Sequence, residues 1–273
     1  MDLLWLVLLG FGTGAYGVLV GAGGGFILGP VLLIFFDLEP AVAAGTSLAL
    51  VAVNSISGSQ VYRRLGLVDV RSGFLFAAAA IPGSVLAPFV LTEVAPATFR
   101  ILFGILLVGL AIQMVVRPRF SGSTREAKPR AGAMVRERRV ATDDGQVFEY
   151  RFSESAAAVF NLFLGFVSSF FGTGGGFLRT PVLVSFFNFP LRVAVATSIF
   201  ALSFYTTAGA LTHASLGHVD WYPTFVWAGV GFVAGGQVGA RLAGRVRGTW
   251  VLRLLLVVVL GLGIRLLVEG IRG

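Results

Sequence analysis

Long apolar stretches separated by short polar breaks dominate the chain. They run from Leu3 to Phe36, Ala41 to Val61, Ser72 to Thr92, Ile101 to Val116, Ser155 to Leu178, Val193 to Val219 and Trp221 to Ala240, with a last Arg-flanked run from Leu254 to Ile264. Uncharged runs of this length predict helices that cross a hydrocarbon core about 30 Å thick. One polar stretch interrupts the series and divides the chain into a first membrane repeat (1–116), a basic linker (117–154) and a second membrane repeat (155–273).

The two apolar parts carry one motif. Gly21-Ala22-Gly23-Gly24-Gly25-Phe26 with Pro30 returns as Gly172-Thr173-Gly174-Gly175-Gly176-Phe177 with Pro181. The register continues at the same offset through Thr46-Ser47 and Thr197-Ser198 to Gly66-Leu67-Val68-Asp69 and Gly217-His218-Val219-Asp220. A duplicated apolar unit with a glycine break inside it points to a membrane transporter whose site lies between its halves. The pieces after the breaks, Phe26 to Phe36 and Phe177 to Phe187, reach about half the core at roughly 1.5 Å per residue. They read as half-helices of re-entrant hairpins.

Composition agrees: 56% of residues are hydrophobic and 12% charged, with a mean hydropathy of +0.88. A soluble domain could not cover its surface with so few charges. The start has no Lys or Arg before Leu3 and continues past signal-peptide length, so it reads as mature structure. There is no cysteine, which excludes disulfides and thiolate chemistry. The net charge of +8 lies mostly in loops, where it reports membrane orientation and not a nucleic-acid partner.

Nine arginines and lysines between Arg117 and Arg151 put the linker in the cytoplasm. Asp144-Gly145, between Arg139 to Thr142 and the alternating Val147 to Phe152, predicts a small β-hairpin that acts as a tether or as a regulatory lid. Arg63, Arg64 and Arg71 place the loop after Val61 inside, whereas its counterpart, Thr212 to Asp220, has no Arg or Lys and the next loop holds Arg241, Arg245 and Arg247. Opposite bias in equivalent loops favours an inverted repeat. The fold expected is an all-α integral membrane protein of two homologous inverted halves, each a glycine-broken re-entrant helical hairpin followed by three transmembrane helices. The competing arrangement has four spans per copy and parallel halves.

Candidate chemistry follows the repeat. Gly23, Gly24, Gly25 and Phe26, with Gly174, Gly175, Gly176 and Phe177, place unpaired N–H groups of half-helix N-termini at a midplane anion site. Lone pairs such as Gly10/Gly14 and Gly235/Gly239 read as close helix packing. Thr46, Ser47, Thr197 and Ser198 offer uncharged donors to an oxyanion or bond back to their own helix. Asn54, with Ser57 and Gln60, and Tyr205, with Thr206 and Thr207, line a polar face. Arg179 stands where the first copy has Leu28, and reads as an anion ligand or gate, or as a cation that snorkels or meets a carboxylate. His213 and His218 read as a solvated outer loop with no metal-ligand spacing, and Asp69 and Asp220 as helix caps. No catalytic constellation, metal site or cofactor-binding motif can be assembled.

At Gly-Ala-Gly-Gly-Gly-Phe with Pro30 and Gly45-Thr46-Ser47, echoed by Gly-Thr-Gly-Gly-Gly-Phe with Pro181 and Ala196-Thr197-Ser198, the chain resembles the sulfite exporter TauE/SafE family, also called the toluene sulfonate uptake permease family. The resemblance implies a carrier in the prokaryotic plasma membrane that moves sulfite, sulfonates or related anions. The expected partners are a small anionic substrate and the lipid bilayer, with no oligomeric state specified. An inside-negative potential favours anion export by roughly 2.3 kcal/mol per charge per 100 mV, so import requires a proton or another coupling ion that no motif locates. The alternative is a channel-like or scaffolding membrane protein acting through its basic loop.

Overall fold

The computed structural model describes residues 3–116, 135–141, 145–243 and 248–272. The first repeat forms α1 (Leu3–Val20), α2 (Gly25–Phe35), α3 (Pro40–Arg64), α4 (Val70–Thr92) and α5 (Pro96–Val116). Strands β1 (Val135–Ala141) and β2 (Val147–Ser153) follow. The second repeat forms α6 (Glu154–Phe170), α7 (Gly176–Ser185), α8 (Leu191–Ser215), α9 (Val226–Leu242) and α10 (Gly248–Arg272). The apolar run from Trp221 does not form one helix, because a distorted turn at Trp221–Phe225, with Tyr222 extended, precedes α9. Helices α1, α3, α4 and α8 are long and apolar enough to cross a membrane. Helices α2 and α7, with 11 and 10 residues, reach only about 15 Å.

The glycine breaks are conformational necessities. Gly21, Gly23 and Gly24 have φ of 79°, 80° and 99°, and Gly172, Gly174 and Gly175 have 67°, 80° and 67°, values that a residue with a Cβ adopts only under strain.

The two copies interlock. Thr46, near the start of α3, accepts a hydrogen bond from the Asp220 N–H just beyond α8 (2.8 Å), and Thr197, near the start of α8, accepts from the Asp69 N–H just beyond α3 (3.0 Å). Each helix therefore begins beside the end of its counterpart, and α3 and α8 run antiparallel. Helix α1 packs on α9 of the other copy, with Gly10 against the Ala228 backbone, Gly14 against Phe232, Gly235 against Phe11 and Gly239 against Ala15. Helix α6 packs on α4 in the same exchanged sense, Gly165 against Ala80 and Gly83 against Leu162. Small residues let the backbones approach where a side chain would hold them apart.

Strands β1 and β2 pair antiparallel, from Val135 opposite Ser153 to Ala141 opposite Val147. The turn residue Asp144, and the linker cations from Arg117 to Arg130, lie outside the described residues. The hairpin does not hang as a tether. Phe152 packs against Phe189 (ring centroids 4.9 Å) and Phe76 (6.1 Å), joining the α7–α8 turn of one copy to α4 of the other. Asp69 caps α4 through the Ser72 N–H (3.0 Å), as expected, and also accepts the Tyr150 hydroxyl (2.7 Å). Arg138 completes the cluster, its Nε 3.7 Å from Asp69 and its Nη2 bonded to Glu154. Burial, then the Asp69 charge, push the Tyr150 phenol well above its ordinary range, so it remains a donor. Asp220 makes no matching side-chain cap; its carboxylate accepts from Thr224 instead.

The hairpin's surface pairs Arg139–Glu149 and Arg151–Glu137 are largely exposed and contribute little. Asp69→Ala, which removes a cap and orphans a buried hydroxyl, is expected to cost about 1–3 kcal/mol. Arg139→Ala is expected to cost less than about 0.5 kcal/mol. Thermal unfolding of the detergent-solubilised variants measures the difference.

Candidate functional site

The glycine breaks meet at the centre of the protein. The Phe26 and Phe177 rings are 5.5 Å apart. A Cβ added at Gly25 would overlap the Gly172 carbonyl, and one at Gly176 the Gly21 carbonyl, so each break packs backbone to backbone on the other. Val51 of α3 and Leu202 of α8 cover both Gly23 and Gly174. Neither half-helix has a side-chain N-cap, so the first N–H groups of both lack that partner beside the contact.

Side chains of α3, α7 and α8 hold the carbonyls that these breaks release. Asn54 donates to Gly23 O (2.8 Å) and Gly14 O (3.1 Å), and Tyr205 at the equivalent position donates to Gly174 O. Ser47 bridges Gly172 O (2.8 Å) and Gly25 O (3.2 Å), one from each copy. Thr180 reaches Gly21 O (3.4 Å) and the Ser198 hydroxyl (3.3 Å). Of the expected site residues, the glycines, Phe26, Phe177, Ser47, Asn54 and Tyr205 therefore converge on the central contact. Thr46 and Thr197 instead sit at helix ends, accepting the bonds that tie the copies together. Of the remaining polar face, Ser57 bonds Val233 O, Gln60 is exposed, and Thr206 and Thr207 bond back to their own helix.

Arg179 is fully buried and does neither of the ordinary things: it does not reach the surface and, among the described residues, meets no carboxylate. Its Nε donates to Asn161 Oδ1 (2.7 Å), its Nη1 lies 3.5 Å from Ser198 O, and its guanidinium carbon stands 4.7 Å from the Tyr205 ring centroid. Nη2 has no partner, and neither have the buried hydroxyls of Ser168, Thr173 and Ser55. Ser168 and the Arg179 guanidinium both lie close to the Tyr205 hydroxyl. Asn161, Ser168 and Thr173 escape a reading that follows what the copies share, because the first copy has Gly10, Gly17 and Ala22 in their places. Their signal in the sequence is the difference between the copies.

His213 and His218 require a correction. The expected solvated loop is a contacting pair: His213 is fully enclosed and His218 half-buried, the His213 Nδ1 is 3.3 Å from His218 Nδ1, and its Nε2 is 3.1 Å from Ser169 O. His213 packs on α6 through Ser169, and His218 lies between His213 and Gly45 of α3. Among the described residues, no cluster of His, Cys, Asp or Glu could hold a metal.

Gly25→Ala and Gly176→Ala, at negative φ, test the central contact without backbone strain. Each is expected to destabilise by about 1–3 kcal/mol by forcing the breaks apart. Gly261→Ala, with nothing near its Cβ, is expected to be neutral or to stabilise by up to about 1 kcal/mol. Thermal unfolding in detergent compares the three.

Comparison with known proteins accounts for nearly the whole chain. The family described as "Sulfite exporter TauE/SafE" matches residues 6–266. The chain is 30% identical to the probable membrane transporter protein YunE of Bacillus subtilis over 99% of both chains. It is 28% identical to a probable membrane transporter protein of Xylella fastidiosa, covering 87% of this chain and 82% of the relative. With the probable membrane transporter protein MJ0441 of Methanocaldococcus jannaschii the identity is 26%, over 76% and 71%. No solved structure matches significantly. The chain belongs to the TauE/SafE sulfite exporter family, whose members are multi-pass membrane transporters and not enzymes.

Proposed function

We propose that the protein is a secondary carrier of small sulfur-containing anions, sulfite or organosulfonates, which bind beside the central glycine contact on Arg179. The observation that carries this reading is the buried guanidinium whose Nη2, among the described residues, has no hydrogen-bond partner and meets no carboxylate. A cation in a low-dielectric interior is costly unless an anion meets it. Its planar fork suits two oxygens of a sulfonate or sulfite group. Ser168 and Thr173 supply unpartnered hydroxyls, and the N-terminus of α7 supplies roughly half a positive charge. The family's description as sulfite exporters supports the same substrate class.

The two halves act as an inverted repeat whose glycine hairpins enter from opposite faces, with the basic linker and its β-hairpin in the cytoplasm. The reciprocal Thr46–Asp220 and Thr197–Asp69 bonds, and the antiparallel course of α3 and α8, support this arrangement. Alternating access then consists of rocking one half against the other around the site, opening one side of the Val51–Leu202 closure at a time.

Uptake into proteoliposomes with sulfite, thiosulfate, methanesulfonate and acetate tests the substrate class. Saturable uptake of the sulfur anions is expected. Arg179→Met should lower it at least about tenfold, the loss of roughly 1.4 kcal/mol of binding. Undiminished uptake by that variant would sink the proposal, and flux that never saturates would favour a channel.

Topology has a separate check in this cysteine-free chain. Cysteines placed at the exposed, equivalent positions Arg64 and Ser215 should react with an impermeant maleimide from opposite faces. Labelling from one face rejects inversion.

A further inference from the structure

The chain has two histidines, and they touch. A carbonyl only accepts, so the bond to Ser169 O requires the proton of neutral His213 to sit on Nε2. Its Nδ1 is then bare, and His218 Nδ1 must supply the hydrogen between the rings. The basic nitrogen of the pair is therefore His218 Nε2, on a half-buried ring in the α8–α9 loop. A proton bound there leaves the one on Nδ1 free to pass to His213. In either position the positive charge strengthens the donation to Ser169 O. That carbonyl also accepts the N–H of Gly172, the first residue of the second glycine break (3.2 Å).

The repeat shows that the structural task does not require a histidine. At the position equivalent to His213 the first copy has Tyr62, whose hydroxyl donates to Val18 O (3.0 Å), and Val18 O also accepts Gly21 N–H (3.1 Å). Leu67 stands where His218 does. One copy thus holds its glycine break with a phenol, the other with a pair that can take up a proton, and the second copy is the one that holds Arg179.

We infer that His213 and His218 form a proton-binding site that acts through the Ser169 carbonyl on the second glycine break, coupling a proton to the transport cycle. Coupling rests on the carrier reading above; the proton site does not. The surroundings leave the pair to answer to protons alone. Asp220 gives its carboxylate to Thr224 and its N–H to Thr46. Helix α3 presents Gly45 and Thr46, with Glu39 at its N-cap, and α6 presents Ser169. Among the described residues, neither ring makes an ion pair. Burial holds His218 below the usual imidazole range, so it takes up its proton as the pH falls. It lies at the end of α8, on the face opposite the β-hairpin, so under the proposed topology it faces the acidic exterior of an energised membrane.

Full-length protein in lipid nanodiscs, labelled with nitrogen-15 at histidine and glycine, provides the test. Both histidines and the Gly172 amide should follow one titration curve below neutral pH. His213→Tyr, which installs the first copy's donor, and His218→Leu should each abolish the Gly172 response while keeping the folded spectrum. A Gly172 amide indifferent to histidine titration, or unchanged titration in His218→Leu, overturns the site. In proteoliposomes carrying an internal pH dye, methanesulfonate serves as the anion because it does not itself titrate in this range. Wild-type protein should move about one proton per anion, and His213→Tyr close to none. Anion flux without proton movement in wild type overturns the coupling; no anion flux with the Gly172 response intact overturns the sulfonate reading and leaves the proton site standing.

Discussion

The structure depends on one constraint: two chains of backbone stop being helical in the middle of an apolar protein, where no water is at hand for the released carbonyls. An unpaired peptide group there costs several kcal/mol. Ser47, Asn54, Thr180 and Tyr205 exist to meet that demand, and each reaches a glycine carbonyl. Since Ser47 and Thr180 reach across to the other copy's break, satisfying the backbone also joins the halves. The close approach that gives the half-helices a shared focus, and the bonds that make it tolerable, are one arrangement.

Duplication repeated the scaffold but not every polar group set on it. Asn54 and Tyr205 do the same work at equivalent positions, as do Tyr62 and His213 and the reciprocal threonines. Arg179, Asn161, Ser168, Thr173 and His218 have Leu28, Gly10, Gly17, Ala22 and Leu67 as their counterparts. Both copies bury polar side chains, but among the described residues the buried arginine and the buried histidine, Arg179 and His213, both lie in the second. A symmetric frame with an asymmetric lining suits the proposed carrier, which would close the same way on both sides of its cargo but hold it with one side.

Much of this was legible in the sequence. Apolar run length gave the helices, the glycine runs gave the breaks, and Asp-Gly between alternating strands gave the hairpin, because each signal is local. Arg179 stood out because a lone cation in an apolar stretch demands an explanation. Pairings between distant segments were hidden. Nothing near His213 in the sequence announces Ser169, and Tyr150 gives no sign of Asp69, since those contacts arise only when α6 crosses α8 and the hairpin folds back on α4. The sequence offers the hydroxyls of Thr46 and Thr197 either to an oxyanion or to their own helix, because residue type reports donors and acceptors, not which backbone ends arrive beside them.

The exchange of first helices has a consequence for how the protein is made. Because α1 rests on α9 and α6 on α4, neither half completes its packing from its own residues. When the ribosome has delivered only the first repeat, the Gly10 and Gly14 face of α1 lies against lipid with no partner, and the covering helix is among the last to emerge. The newborn chain must therefore wait in the bilayer as an assortment of inserted but loosely associated helices. Its final locking is a late, concerted event, and a chain stalled after the linker presents membrane quality control with an open seam.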